Sequence, residues 1–264
     1  MGNRRDNYTL RALVADVAYR KRRAAVARFS GTAPGAEVPR EVYLSACGTI
    51  ADHLGSHGFS YAKSGPHCRK VGDQFTYRIS FQSSYHNVAG EHVSLSVHGA
   101  VLSRKFKKWL ASHPELYASN YVAGGQIGNL QEEPCWVTWE LSDPIDRDET
   151  IGNVIQTVDQ IVLPYFARFE DIPTLVRSLV AEGCPGMSIR GVVEFLMWLG
   201  EESAARSAGK NFLRRRIDLI DAYGVAFAQS NGSDLTAPMT GSFAENLAFV
   251  SHVFGFGDLR IGAC

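Results

Sequence analysis

The sequence predicts an α+β fold, an antiparallel meander of about five or six strands packed on helices with a helical C-terminal extension. Three observations carry this expectation. From Gln74 to Gln82, Phe75, Tyr77, Ile79 and Phe81 alternate with Gln74, Thr76, Arg78, Ser80 and Gln82; from His92 to His98, Val93, Leu95 and Val97 alternate with His92, Ser94, Ser96 and His98. Period-two alternation requires one buried and one wet face, so both runs belong to an antiparallel sheet with a polar outer surface. From Asp146, Ile151, Val154, Ile155, Val158, Ile161, Val162 and Phe166 recur at helical spacing, an apolar stripe suited to covering one face of that sheet. After Gly183 the pattern stays helical, and strands followed by helices are the mark of the α+β class.

Taken in order, residues 8–29 read as a helix with Leu10, Leu13, Val14, Val17 and Ala18 on one stripe. The block Arg20, Lys21, Arg22 and Arg23 follows, where cations complement the helix dipole. Ser30 to Pro39 is a Gly/Pro/Ala-rich linker. A second helix, about Arg40 to Ser56, carries Val42, Tyr43, Ala46, Ile50 and Leu54 at helical spacing and is capped at Gly58. Strands are expected at Ser60 to Lys63, Cys68 to Val71, Phe75 to Ser83 and Val93 to Leu102, with a hairpin turn at Gly72-Asp73. Arg104 to Ala111 reads as a short basic helical turn, and Tyr121 to Ile127 and Cys135 to Leu141 as two more strands. A short helix follows Asp171-Ile172-Pro173 as far as Glu182. Further helices are expected around Val192 to Leu199, from Glu202 to Tyr223 and from Ser242 to Phe254. The expected domains are a basic appendage and linker (1–35), an α+β core (36–182) and a helical region (183–264).

Lys plus Arg and Asp plus Glu number 27 each, which removes any whole-chain electrostatic case for nucleic acid or an anionic membrane. The five cysteines, Cys47, Cys68, Cys135, Cys184 and Cys264, are scattered without paired spacing and suit a reducing cytosol. Asp16 interrupts Leu13-Val14-Ala15 before the apolar core of a signal peptide develops. No stretch approaches the roughly 18 apolar residues of a membrane span. A cytoplasmic protein with no membrane association is expected.

The residues that could carry chemistry are dispersed. His92 and His98 share a strand face but stand roughly 20 Å apart at about 3.3 Å per residue, too far to share one ion. His53 and His57 have the i, i+4 spacing that zinc uses, but no HExxH glutamate accompanies them and Gly55 lies between, so a solvated helix end is expected. His67 and Cys68 are adjacent on a strand and point to opposite faces, against a thiolate–imidazolium pair. Gly124-Gly125-Gln126-Ile127-Gly128 lacks the Lys-Ser/Thr of a phosphate loop and reads as a flexible or bulged strand. No serine sits in a GxSxG elbow. No catalytic residue, metal site or cofactor is therefore expected. The outer sheet face, with Arg78, Gln82, Ser94, Ser96 and His98, is the candidate binding surface. Trp136 alternates with Trp139 on its strand, and burial of both between layers is expected, an exposed tryptophan being an interface anchor. Of the basic clusters, Arg20, Lys21, Arg22 and Arg23 form the candidate patch; Arg104 with Lys105, Lys107 and Lys108, and Arg214 to Arg216, are expected as separate solvated helix faces.

The order of features over about residues 40–182 resembles a bacterial family, the domain of unknown function numbered 4304. The features are a helix ending in Gly58-Phe59, a strand running from Phe75-Thr76-Tyr77-Arg78 to Phe81-Gln82-Ser83-Ser84, and the strand Val93 to Val101. Then come Gln126-Ile127-Gly128-Asn129-Leu130, a tryptophan strand with Trp136 and Trp139, and a helix closing on Leu163-Pro164-Tyr165-Phe166 with Phe169. The basic N-terminal helix and the helices after Glu182 depart from that pattern. The resemblance implies a non-enzymatic protein-binding role in toxin immunity or defence. Two alternatives stay open: a nucleic-acid-associated protein using the basic N-terminal helix, and an enzyme whose site is assembled from residues such as Arg78, His98 and Glu140.

Overall fold

A computed structural model describes residues 37–230 and 241–260. The basic block Arg20, Lys21, Arg22 and Arg23 lies outside the described residues, as do the expected helix and linker around it. Residues from Pro39 onward form one compact unit, and it has the expected α+β architecture.

Helix α1 (Pro39–Gly55) buries Val42, Tyr43, Ala46, Cys47, Ile50 and Leu54, the stripe its spacing predicts. It ends where expected. Gly58 adopts φ 81°, and the Phe59 N–H donates to the Leu54 carbonyl, which caps an otherwise orphan acceptor. The sheet follows as β1 (Ser60–Ala62), β2 (His67–Val71), β3 (Thr76–Ser83), β4 (Ser94–Leu102), β5 (Tyr121–Gln126) and β6 (Trp139–Glu140). Its order is β1-β2-β3-β4-β5, every pairing is antiparallel, and β6 pairs with β4 at Ser94 and Leu95. A register shift between Val101 and Leu102 marks a bulge where β4 meets β5.

The expected strand Cys135 to Leu141 shrinks to Trp139–Glu140. The residues before it form no ladder and are held instead by the 3₁₀ turn Ile127–Leu130 and by Gln126 at the end of β5: the Cys135 N–H donates to the Gly128 carbonyl, and the Gln126 side chain donates to the Val137 carbonyl.

Tyr77, Ile79, Phe81, Leu95, Val97 and Val101 fill the inner face. Covering it, the predicted single helix is three consecutive pieces: α3 (Arg147–Thr157), a π turn (Val158–Val162) and α4 (Leu163–Ala167). Pro164 gives the reason. It has no N–H for the residue four earlier, and its ring would strike that carbonyl; the π turn, closed by the Leu163 N–H on the Val158 carbonyl, widens the coil and relieves the clash. Phe166 then reaches the sheet, its ring centre 5.0 Å from that of Tyr77.

Helix α2 (Arg104–Leu110) starts on a Ser103 cap. Beyond α5 (Ile172–Ala181) come α6 (Ile189–Trp198), α7 (Glu202–Arg215), α8 (Ile220–Gln229) and α9 (Phe243–Val253). The helix expected from Glu202 to Tyr223 breaks at Arg216, whose backbone leaves the helical region and whose guanidinium turns forward onto Asp218 at 2.7 Å. These helices join the same buried cluster as the sheet. Phe195 of α6 packs its ring within 6.3 Å of Phe75, Phe106, Phe169 and Trp198, and burying such a side chain contributes about 1.5–3 kcal/mol. At the seam the Gly124 N–H donates to the Gly186 carbonyl at 3.1 Å. Both glycines have positive φ, and a Cβ on Gly186 would stand 2.5 Å from the Gly124 oxygen, so the approach demands glycine.

Candidate functional site

The side of the sheet turned away from α1 and α3 carries His67 and Arg69 of β2, Thr76, Arg78, Ser80 and Gln82 of β3, and Ser94, Ser96 and His98 of β4. The register sets Arg69 opposite Arg78, Ser80 between His67 and His98, and Gln82 opposite Ser96. All five residues expected to bind therefore share one face. They do not form one uniformly wet surface. Ser96 is only 8% exposed and lies 3.2 Å from the His98 imidazole, while the Ser94 hydroxyl accepts the Ser84 N–H. Gln82 is exposed. Burial pushes the His98 pKa below its ordinary value.

Trp136 corrects another expectation. It is 68% exposed, with its ring edge-on to His98 at 6.2 Å, while Trp139 is half-buried. With no strand pairing before Trp139, alternation does not fix the direction of Trp136.

At one end of this face lies a cavity of about 190 Å³ lined by His67, Arg69, Thr76, Arg78, Leu102, Arg104 and Asn120, with no acidic residue among them. The Arg78 Nε is withdrawn from water and has no hydrogen-bond partner among the described residues. Among the described residues Arg69, Arg78 and Arg104 make no ion pair. Like charges directly opposite on neighbouring strands destabilise a sheet, so the Arg69–Arg78 juxtaposition is not explained by stability. Arg69 was not among the residues expected to bind. A tight turn at Gly72-Asp73 would set Arg69 against Thr76; instead the loop spans residues 72–75, closed by the Gly72 N–H on the Phe75 carbonyl, and Val71 pairs with Thr76. That longer loop brings the two arginines face to face.

The dispersed residues of the enzymatic alternative do not converge. Glu140 is opposite Ser94, four residues along β4 from His98 and hence about 13 Å away. Its carboxylate is occupied locally: it accepts the Val93 N–H at 2.7 Å and the Ser142 N–H at 3.0 Å, and also meets His92. Burial pushes its pKa up, but these hydrogen bonds outweigh burial and hold it below the ordinary value. Cys68 is buried, on the opposite face from His67, and burial pushes its thiol up to about 11.

Two further groupings were not legible in the sequence. A cavity of about 630 Å³ lies where α2 and the following loop meet β5 and α6, lined by apolar residues such as Phe106 and Met187 together with Arg190 and Glu194. Arg190 Nε lies 2.6 Å from Glu194 in this nearly buried pair. Burial raises the Glu194 pKa against the opposing pull of Arg190. Elsewhere, Asp159 of the π turn reaches His53 and His57 at the end of α1.

Comparison of the chain with family models, with curated proteins and with solved structures finds no match.

Proposed function

We propose that this is a non-enzymatic protein-binding protein, and that the outer sheet face takes an acidic segment of a partner protein. The observation that supports this is the Arg69–Arg78 pair with Arg104 beside it, three cations around one cavity without a counter-charge among the described residues. A carboxylate entering there would relieve the like-charge contact and take charge-assisted, two-pronged hydrogen bonds from a guanidinium. The exposed Trp136 on the same face supplies the kind of aromatic anchor on which interface energy concentrates. A protein partner is favoured over nucleic acid because the chain is net neutral and no row of aromatics accompanies the arginines to stack bases. The resemblance of residues 40–182 to the 4304 family is the ground for placing the partner among bacterial toxins or defence proteins.

The test is a titration of the full chain with a fluorescently labelled glutamate-rich peptide and, separately, with a single-stranded oligonucleotide of equal charge, at low and moderate salt. Saturable peptide binding that Arg69→Gln/Arg78→Gln weakens at least about tenfold is the expected result. A peptide that does not bind, or an oligonucleotide that binds more tightly and is unaffected by the double variant, sinks the proposal.

A further inference from the structure

We infer that His53, His57 and Asp159 form a binding site for a divalent transition-metal ion of the zinc type. The donor atoms are already gathered. His53 Nε2 lies 3.0 Å from each Asp159 oxygen, His57 Nε2 lies 3.9 Å from Oδ1, and the three ligand atoms all fall within 4.8 Å of one another. Tetrahedral bonds of about 2.0–2.2 Å separate donors by roughly 3.3–3.6 Å. The distances of 3.0 and 3.9 Å bracket that spacing and the two imidazole donors stand within 4.8 Å of each other, so side-chain rotations that move the donors by about an ångström admit an ion at bonding distance to all three.

A hydrogen bond between His53 and Asp159 alone would account for two of these groups. It leaves unexplained why a second imidazole stands 5.2 Å from the first, centre to centre, around the same carboxylate. The site also lies where the fold departs from regular geometry. His57 is held just beyond α1 in the turn closed by Gly58, and Asp159 is delivered by the π turn that Pro164 forces; such turns are frequent at functional sites. The side chains are 32%, 39% and 37% exposed for His53, His57 and Asp159, so an ion can enter and a fourth position stays open to water.

Two imidazoles and one carboxylate are a donor set for zinc, cobalt or nickel. Magnesium and calcium prefer oxygen ligands throughout. His57 also lines a cavity of about 150 Å³ with Lys70 and Glu170, which gives a ligand on the fourth position room beside the ion. The sequence concealed the site because its third ligand is 106 residues from His53. An i, i+4 histidine pair is recognised as a ligand set only when the remaining ligand is local.

The test uses the full chain, stripped with a chelator and kept reduced, titrated with cobalt(II) while the visible absorption of four-coordinate cobalt is followed, then back-titrated with zinc. The expected result is saturation near about one equivalent, displacement by zinc and a rise in Tm on zinc addition. His57→Ala removes only the longest contact and should leave the fold intact while weakening cobalt binding at least about tenfold. Asp159→Asn should do the same, and if that variant fails to fold, His57→Ala carries the test alone. No saturable cobalt spectrum, or a spectrum and affinity unchanged in His57→Ala, would reduce the cluster to a histidine–aspartate hydrogen bond and overturn the inference.

Discussion

On α6 the Nε of Arg190 lies 2.6 Å from the Glu194 carboxylate, and its guanidinium stands 4.9 Å from the centre of the Phe249 ring. On β3 the Nε of Arg78 is shut off from water, but it has no acceptor among the described residues, and the residue directly opposite is another cation. The first arginine is answered within the chain by a carboxylate one helical turn away. The second has no ion pair among the described residues, and its buried Nε is a cost that they do not offset. Uncompensated cations kept at a cavity are where an anionic group from outside gains most, so the contrast separates an arginine that serves the fold from one available to a partner.

The largest effect should come from breaking the satisfied pair. Glu194→Ala leaves the Arg190 charge in a nearly buried setting without its carboxylate and should cost about 3 kcal/mol, read as a lower denaturant midpoint at unchanged slope. An unchanged midpoint would mean that Arg190 and Arg78 do not differ in kind. Next, Arg69→Gln/Arg78→Gln should weaken acidic-peptide binding at least about tenfold, the loss of roughly 1.4 kcal/mol or more expected when charge-assisted hydrogen bonds are removed. Stability of the same double variant should stay level or rise slightly as the cross-strand repulsion is relieved. A fall of several kcal/mol in chemical unfolding would instead assign these arginines a structural role.

The smallest effect is a pH dependence at His98, midway along the same face. Its folded pKa is lowered by burial, so at pH well above about 6.5 the imidazole is neutral folded or unfolded and contributes no slope. As pH falls below about 6.5 the unfolded chain takes up the proton first, and stability declines. Unfolding curves at pH 7.5 and 5.5 should show His98→Gln losing less stability on acidification than the parent chain; an equal loss would exclude His98 as a contributor.

What the sequence made legible, and what it did not, follows the range of the interactions. Alternation placed β3 and β4 within a residue of their observed ends and put Arg78 and His98 on the correct face, because strand period is a local property of the backbone. The α1 stripe and the Gly58 cap were likewise readable over a few residues. The interruption at Pro164 was readable in principle, since a proline inside a helical run removes a donor, but the strong apolar stripe on both sides masked it. Arg69 opposite Arg78 depended on a loop two residues longer than the Gly-Asp signal suggests, with Phe75 drawn into contact with Phe169, Phe195 and Trp198. Asp159 beside His53, and Trp136 beside His98, depend on how distant segments pack, which no periodicity encodes.

The close approach of Gly124 to Gly186 also decides how another chain can engage this sheet. β1 has three residues and β6 has two, and the longer margin at β5 has its central N–H already engaged by the 184–188 loop. A sheet whose margins are this short or occupied offers little template for an incoming strand, either from a binding partner or from a second copy bent on aggregation. Any recognition by this sheet is thereby directed away from strand addition and onto side chains, and a broad sheet is kept without its margins seeding uncontrolled assembly.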